Sequence, residues 1–226
     1  ISNGTIADFV TTAVRTGGPG RGGISLVVVP TDAAGFSRGR RLRKLGTHAS
    51  DTGEIAFQGC RVPARNLVGE ENGGFKLIMQ GFEGERLVLA LLATAQMRLM
   101  LEEAVRYGYA RKAFGQPLLG FQTWRHRLAD VATTIEAAEA LTYRALDLQV
   151  RGEPCNAQIS MAKLFATESA IGVAHQCAQI HGGMGYMEEC LMARLYRDSL
   201  AFTIGAGTSE MMREIIARAS GFDPQG

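Results

Sequence analysis

The sequence predicts an α+β chain, a small β domain followed by a helical bundle. Three observations carry that reading. The first segments are short, rich in β-branched residues and bounded by glycine and proline. Beyond Pro63 the pattern changes to long runs with apolar residues at helical spacing. Short glycine-containing breaks separate those runs, as antiparallel helices in a bundle require.

Ile1-Ser2-Asn3-Gly4 reads as a turn entering a strand, and the chain reads as beginning inside a larger protein. Phe9–Arg15 is the first strand, with alternating and β-branched residues. Thr16–Gly23 is a flexible connection. It leads from strand to strand and has no following Gly-Lys-Ser/Thr, so it is neither a P-loop nor a dinucleotide turn. Ile24–Val29 is a second strand, ended by Pro30. The basic run Arg38–Lys44 suits either a phosphate or acidic partner, or a solvated loop before a strand. Gly53–Gln58 is a further strand.

Gly73–Tyr109 is predicted as a long helix. Phe75, Ile78, Met79 and Phe82 form one stripe, and Leu87, Leu91, Ala95, Leu99 and Val105 continue an apolar face. Phe121–Val150 is a second helix, carrying Leu128, Val131, Ile135, Ala138 and Leu141. Gly152-Glu153-Pro154 separates it from a third, Ala157–Ile180. His181–Tyr186 is a break, Met187–Tyr196 a shorter helix and Ser209–Ala219 the last. Between those two, Asp198–Glu210 interrupts with small residues that admit a close backbone approach or a ligand. The predicted division is 1–68 for the β part and 69–226 for the bundle.

Composition narrows the function. Hydrophobic residues make up 46% and charged residues 20%, which argues for a globular chain. A formal charge of +2, without a basic tract interleaved with aromatics, argues against nucleic acid as a partner. Cys60, Cys155, Cys177 and Cys190 form no CxxC pair, and the four histidines are scattered, so no metal site is expected. Free cysteines point to a reducing compartment, cytoplasmic or the mitochondrial matrix in a eukaryote. No leader or membrane-length apolar run is read, so no membrane insertion is expected.

Four segments in order carry a more specific signal. They are Leu45–Phe57 (LGTHASDTGEIAF), Tyr109–Pro117 (YARKAFGQP), Gln179–Tyr186 (QIHGGMGY) and Gly205–Glu210 (GAGTSE). Together they resemble the acyl-CoA dehydrogenase family. The resemblance extends over essentially the whole chain, and Ile1–Gly4 is similar to the family's ITNG segment. It implies a partial middle β domain followed by the C-terminal four-helix bundle, with the N-terminal helical domain absent. It also implies an FAD-dependent α,β-dehydrogenation of an acyl-CoA thioester: a base takes the α proton while the β hydrogen leaves as hydride to the flavin.

The base is where the sequence departs from many relatives. Medium- and short-chain members carry a glutamate in a Tyr-Glu-Gly-Thr-Ser run, where this chain has Gly205-Ala206-Gly207-Thr208-Ser209. Ala206 cannot take a proton. Phe82–Ala90 (FEGERLVLA) resembles the helix on which isovaleryl-CoA and long-chain members place their base, and Glu85 falls on that position. The backbone N–H of Ala206 is expected to polarise the thioester carbonyl as in an oxyanion hole. Small Gly205 and Ala206 leave room for a branched or bulky acyl group. By the same resemblance Arg86, Glu83 and Gly207 are substrate-site residues. Arg111, Phe114, Gln122, Gln179, Gly183, Thr208, Glu210 and Ser2 are flavin-site residues, with Gln179 and Gly183 reaching FAD across a subunit interface. Glu210 is expected to support a helix cap rather than act as a base. A homodimer or homotetramer and an electron-transferring flavoprotein are the implied partners. An acyl-CoA oxidase, or a non-catalytic assembly subunit retaining the bundle, are the alternatives.

Overall fold

In the first strand, β1 (Phe9–Arg15), Val10, Thr12 and Val14 are the more covered side chains, so the period of two read in the sequence is the period of burial. A computed structural model describes residues 1–222; the predicted bundle range to 226 therefore ends outside the described residues. Two compact units divide the chain, Ile1–Phe82 and a second beginning at Glu83.

In the first unit β1 pairs antiparallel with β2 (Ile24–Pro30), Phe9 opposite Pro30 and Arg15 opposite Ile24. Helix α1 (Gly74–Ala110) is preceded by a short strand, here β5 (Leu67–Val68), which adds to the other edge of β2. A separate ladder joins β3 (Phe36–Arg41) to β4 (Gly53–Phe57), closed by an edge-on Phe36–Phe57 pair at 5.4 Å. The start of α1 is fixed by contact. A Cβ on Gly74 would lie 2.7 Å from the Ser25 carbonyl carbon, so no larger residue fits without moving backbone.

The basic run is corrected here. Arg38, Arg40 and Arg41 lie on β3, which the sequence did not reveal because only Phe36 on that strand is even half-buried. Their charges have internal partners. Arg38 donates to the Ala7 carbonyl at 2.7 Å, Arg40 pairs with Glu54 at 3.3 Å, and Arg41 pairs with buried Asp51 at 3.2 Å.

In the second unit the remainder of α1 packs with α2 (Gln122–Val150) and α3 (Asn156–His181) around a continuous core. A tight hairpin, β6 (Lys112–Ala113) and β7 (Gln116–Pro117), turns the chain between α1 and α2. The predicted apolar face of α1 is partly wrong. Leu87 is buried, but Ala95 and Leu99 are exposed, and the core face is Ala90, Ala93, Met97, Met100 and Ala104. Alanines let neighbouring helices approach closely, and flexible methionine fills the remaining gaps. On α2 the predicted residues Leu128, Val131, Ile135 and Ala138 are buried, while Leu141 is only half-buried and Thr142 takes the core position beside it.

The next helix, α4 (Leu191–Ser199), begins four residues later than predicted. Met187–Cys190 is instead a turn in which the Cys190 N–H donates to the Met187 carbonyl at 3.0 Å. The last helix, α5 (Ser209–Ala219), has the predicted bounds. Its N-cap is Thr208, whose Oγ1 accepts from the Met211 N–H at 3.4 Å. Among the described residues no helix is long and apolar enough to cross a membrane.

Candidate active site and cofactor cavity

The loop before α5 lies against α1 beside Glu85. Residues 85 and 89 share a helix face, one turn apart. A Cβ on Gly205 would sit 3.7 Å from Leu89 Cδ2, which places the loop on that face. The residue after Glu85, Arg86, is only 7% exposed and donates from Nε to the Ala206 carbonyl at 3.1 Å. A Cβ on Gly207 would lie 3.8 Å from the Arg86 guanidinium and 3.0 Å from Met212 Cε. Arg86, Gly205, Ala206 and Gly207 therefore form one cluster, with Glu85 on the adjoining, exposed turn of α1. Burial pulls the Arg86 guanidinium down from its ordinary range, against the opposing charges of Glu83 and Glu85.

The loop has an unusual backbone. Ala206 has φ 52° and Gly207 φ 102°. Left-handed geometry at a residue with a Cβ costs roughly 1–2 kcal/mol, so surrounding contacts must hold it. The Gly205 N–H donates to the Ala201 carbonyl at 2.9 Å, fixing one end. At the other end the Gly207 carbonyl accepts from Lys163 Nζ at 2.7 Å. Lys163 lies on α3, wholly buried. Burial lowers its pKa, and the nearby positive charge of Arg86 lowers it further, while Glu168 and Glu210 act in the opposite direction. Lys163 is not among the residues predicted from the sequence. The signal was present: a lysine on the apolar face defined by Ile159, Ala162, Ala166 and Ala170.

A second cluster forms at the other end of α1. Arg111, Gln179 and Gly183 line a cavity of about 670 Å³ with Tyr107, Trp124 and Met184. Its floor is set by His181, whose Nδ1 lies 2.7 Å from the Cys177 carbonyl and whose ring packs 4.4 Å from that of Tyr107. A Cβ on Gly183 would meet nothing within 4 Å, so Gly183 leaves an open wall rather than a steric necessity. Phe114 sits at the tip of the β6–β7 turn with φ 50° and is 96% exposed. Its ring meets Phe121 edge-on at 6.2 Å, beside Gln122, the exposed first residue of α2. An exposed cation, flat rings and an unobstructed glycine wall fit a dinucleotide with a pyrophosphate and aromatic ring systems.

The remaining predicted residues stand elsewhere. Thr208 and Glu210 line a second cavity of about 390 Å³ with Glu168, Ile171, Thr203, Ile204 and Ser209. The Ser209 hydroxyl oxygen there is buried and has no hydrogen-bond partner among the described residues. Glu210 lies in the first turn of α5, where a negative charge complements the helix dipole. Its own backbone N–H and the Thr208 hydroxyl hold its carboxyl below the usual carboxylate range. Glu83 lines a small cavity with Gln149, Cys155 and Asn156 instead of joining the loop cluster. Ser2 belongs to the first unit, bridged antiparallel to Thr52.

Comparison with known proteins identifies the family. Residues 72–221 match the model of the acyl-CoA dehydrogenase C-terminal domain, and residues 1–60 match that of the middle domain. The chain is 41% identical to the mitochondrial long-chain specific acyl-CoA dehydrogenase of Rattus norvegicus over 221 residues, covering 96% of the chain and 51% of the rat protein. A crystal structure of a probable acyl-CoA dehydrogenase from Mycobacterium abscessus superposes with a TM-score of 0.96 at 46% identity, over 97% of this chain and 58% of that one. A more distant solved relative, PigA with FAD and proline, gives a TM-score of 0.94 at 26% identity, over 100% of this chain and 58% of that one. The chain belongs to the acyl-CoA dehydrogenase family, and it spans about half the length of the curated relatives it matches.

Proposed function

We propose that the full-length protein is an FAD-dependent acyl-CoA dehydrogenase with Glu85 as its base. It converts a branched or medium- to long-chain acyl-CoA to the trans-2-enoyl-CoA. The observation that carries this reading is the bond from Arg86 to the Ala206 carbonyl. It ties the loop that lacks a carboxylate at Ala206 to the helix turn that carries one at Glu85. The division into a partial middle β domain, 1–68, and a bundle, 69–226, is part of the same reading.

The residues divide the work as follows. Glu85 accepts the α proton on its carboxylate. The Ala206 N–H, for which no acceptor is formed among the described residues, donates to the thioester carbonyl and stabilises the charge that develops on its oxygen. Arg86 and Gly207 keep that loop in place. Glu83 lies toward the CoA portion. Arg111, Phe114, Gln122, Gln179, Gly183, Thr208 and Glu210 are the residues that would hold FAD, which is the group found with the relative PigA. Bound there, FAD supplies the two-electron acceptor for the β hydrogen. The exposed Met184 and Met187 lining the cofactor cavity, with exposed Tyr109, Phe114 and Tyr186 within a few residues of its lining in sequence, support a homodimer or homotetramer in which a second copy completes that site. An electron-transferring flavoprotein is the proposed electron acceptor.

The test is anaerobic flavin absorbance of the full-length protein before and after butyryl-, isovaleryl-, octanoyl- and palmitoyl-CoA. Bleaching by a branched or longer thioester is expected. Exclusive reduction by short unbranched thioesters would overturn the substrate class. A protein that binds no flavin would favour a non-catalytic assembly subunit, and rapid reoxidation by oxygen would favour an oxidase.

A further inference from the structure

A buried lysine that no step of the proposed reaction consumes is an expensive feature. Lys163 is 0% exposed, and around it on α3 the fully buried Ile159, Ala162, Ala166 and Ala170 are apolar, while the hydroxyls of buried Ser160 and Thr167 are spent on backbone carbonyls of the same helix. A methionine of similar length would fill the same space without desolvating a charge. What the ammonium does instead is donate to one backbone oxygen, the Gly207 carbonyl, at 2.7 Å.

That oxygen sits where the chain needs an anchor. Consecutive carbonyls, those of Ala206 and Gly207, each receive a buried cation, Arg86 from α1 and Lys163 from α3. The Gly205 N–H is held by Ala201. Three fixed points bracket a single peptide unit, Gly205–Ala206, whose N–H is left to face a ligand. With Ala206 at φ 52° and Gly207 at φ 102°, the loop departs from ordinary right-handed geometry at both residues. Without its anchors it would relax toward commoner angles and swing that N–H away.

From this geometry we infer that Lys163 is a positioning residue: through the Gly207 carbonyl it locks the Gly205–Gly207 loop so that the Ala206 N–H points at the thioester oxygen. The anchoring rests on the contacts within this chain; its catalytic consequence rests on the function proposed above. Arg86 holds one carbonyl and Lys163 the next, so removing Lys163 leaves the loop attached but loose. Lys163 takes no part in the proton or hydride transfer of the proposed reaction.

The experiment compares full-length wild type with Lys163→Met and Lys163→Gln. The first removes the donor, and the second keeps a neutral, shorter one. Hydrogen exchange, resolved to the 205–209 peptide, is expected to accelerate at least about tenfold in Lys163→Met while the α2 and α3 amides keep their protection. In the same protein kcat should fall roughly 10–100-fold with KM within about twofold, the pattern of a donor misplaced by a fraction of an ångström. The carbonyl stretch of a bound ¹³C-labelled thioester should move back toward its frequency in water. Lys163→Gln should fall between wild type and Lys163→Met on all three readouts, and it carries the test if Lys163→Met does not fold. Unchanged exchange at 205–209 overturns the proposal whether or not any acyl-CoA reduces the flavin. Faster exchange with kcat and carbonyl frequency unchanged overturns its catalytic part. If wild type is reduced by no thioester, the proposed function fails, and hydrogen exchange still decides the anchor.

Discussion

Two glycine-to-alanine substitutions should move stability in opposite directions, and the structure sets both signs. Gly207 has φ 102°, where a Cβ is strained, and an added methyl would lie 3.0 Å from Met212 Cε on a side chain that is itself fully buried. Backbone strain of this kind costs about 1–3 kcal/mol. The Met212 terminus can shift by a few tenths of an ångström, so the contact adds little; the expected loss for Gly207→Ala is about 2 kcal/mol. Gly172 lies inside α3, is exposed, and a Cβ there would meet nothing within 4 Å. Gly172→Ala should therefore gain about 0.5–1 kcal/mol from helix propensity alone. Equilibrium urea unfolding of each purified variant, followed by far-ultraviolet circular dichroism, reads both. If Gly207→Ala is neutral, the loop is not held in the left-handed geometry described, and the argument for its anchors fails with it.

Other consequences follow from the same contacts. Met97 is fully buried on α1, so Met97→Ala should destabilise by about 2–5 kcal/mol and Met97→Leu by less than about 1.5, both measured by the same urea titration. Hydrogen bonds from Arg98 hold the Glu139 carboxyl below the usual carboxylate range. A depressed carboxyl stabilises the fold above its unfolded pKa, and that stabilisation is lost as pH falls through the folded value. The stability gap between wild type and Arg98→Leu should thus be full at neutral pH and close below about pH 4, which unfolding titrations at graded pH would show. Cys177 is fully buried and its thiol is pushed up to about 12 by desolvation. A thiol-alkylating reagent at pH 8 should label half-exposed Cys60 and Cys190 in the native chain and reach Cys177 only after denaturation, as peptide mass mapping would reveal.

Legibility in the sequence followed how locally each feature is specified. β1 and α5 appeared with their predicted bounds because alternation in one case, and a Thr208 cap before an amphipathic run in the other, are written in adjacent residues. β3 was missed because its register is set by a partner strand and by internal pairing of its arginines, with no apolar alternation to betray it. The face of α1 was misjudged at Ala95 and Leu99 because successive steps of four drift around a helix with 3.6 residues per turn, away from the buried series Ala93, Met97, Met100 and Ala104. At the site, chemistry was visible where a residue type departs from a pattern, as at Glu85 and Ala206. The cofactor cavity joins Arg111 to Gln179 and Gly183, which are far apart in sequence and were connected by resemblance before the fold brought them together. Lys163 escaped because its function lies in a carbonyl 44 positions away.

The account stands or falls most directly on Glu85. Single-turnover reduction of the flavin in full-length Glu85→Gln, mixed anaerobically with the thioester that bleaches wild type fastest, isolates proton abstraction from binding and from reoxidation. The account predicts that the variant binds flavin and thioester as wild type does, yet reduces at least about 10³-fold more slowly, because an amide cannot accept the α proton. Reduction within tenfold of wild type would place the base elsewhere and contradict the assignment.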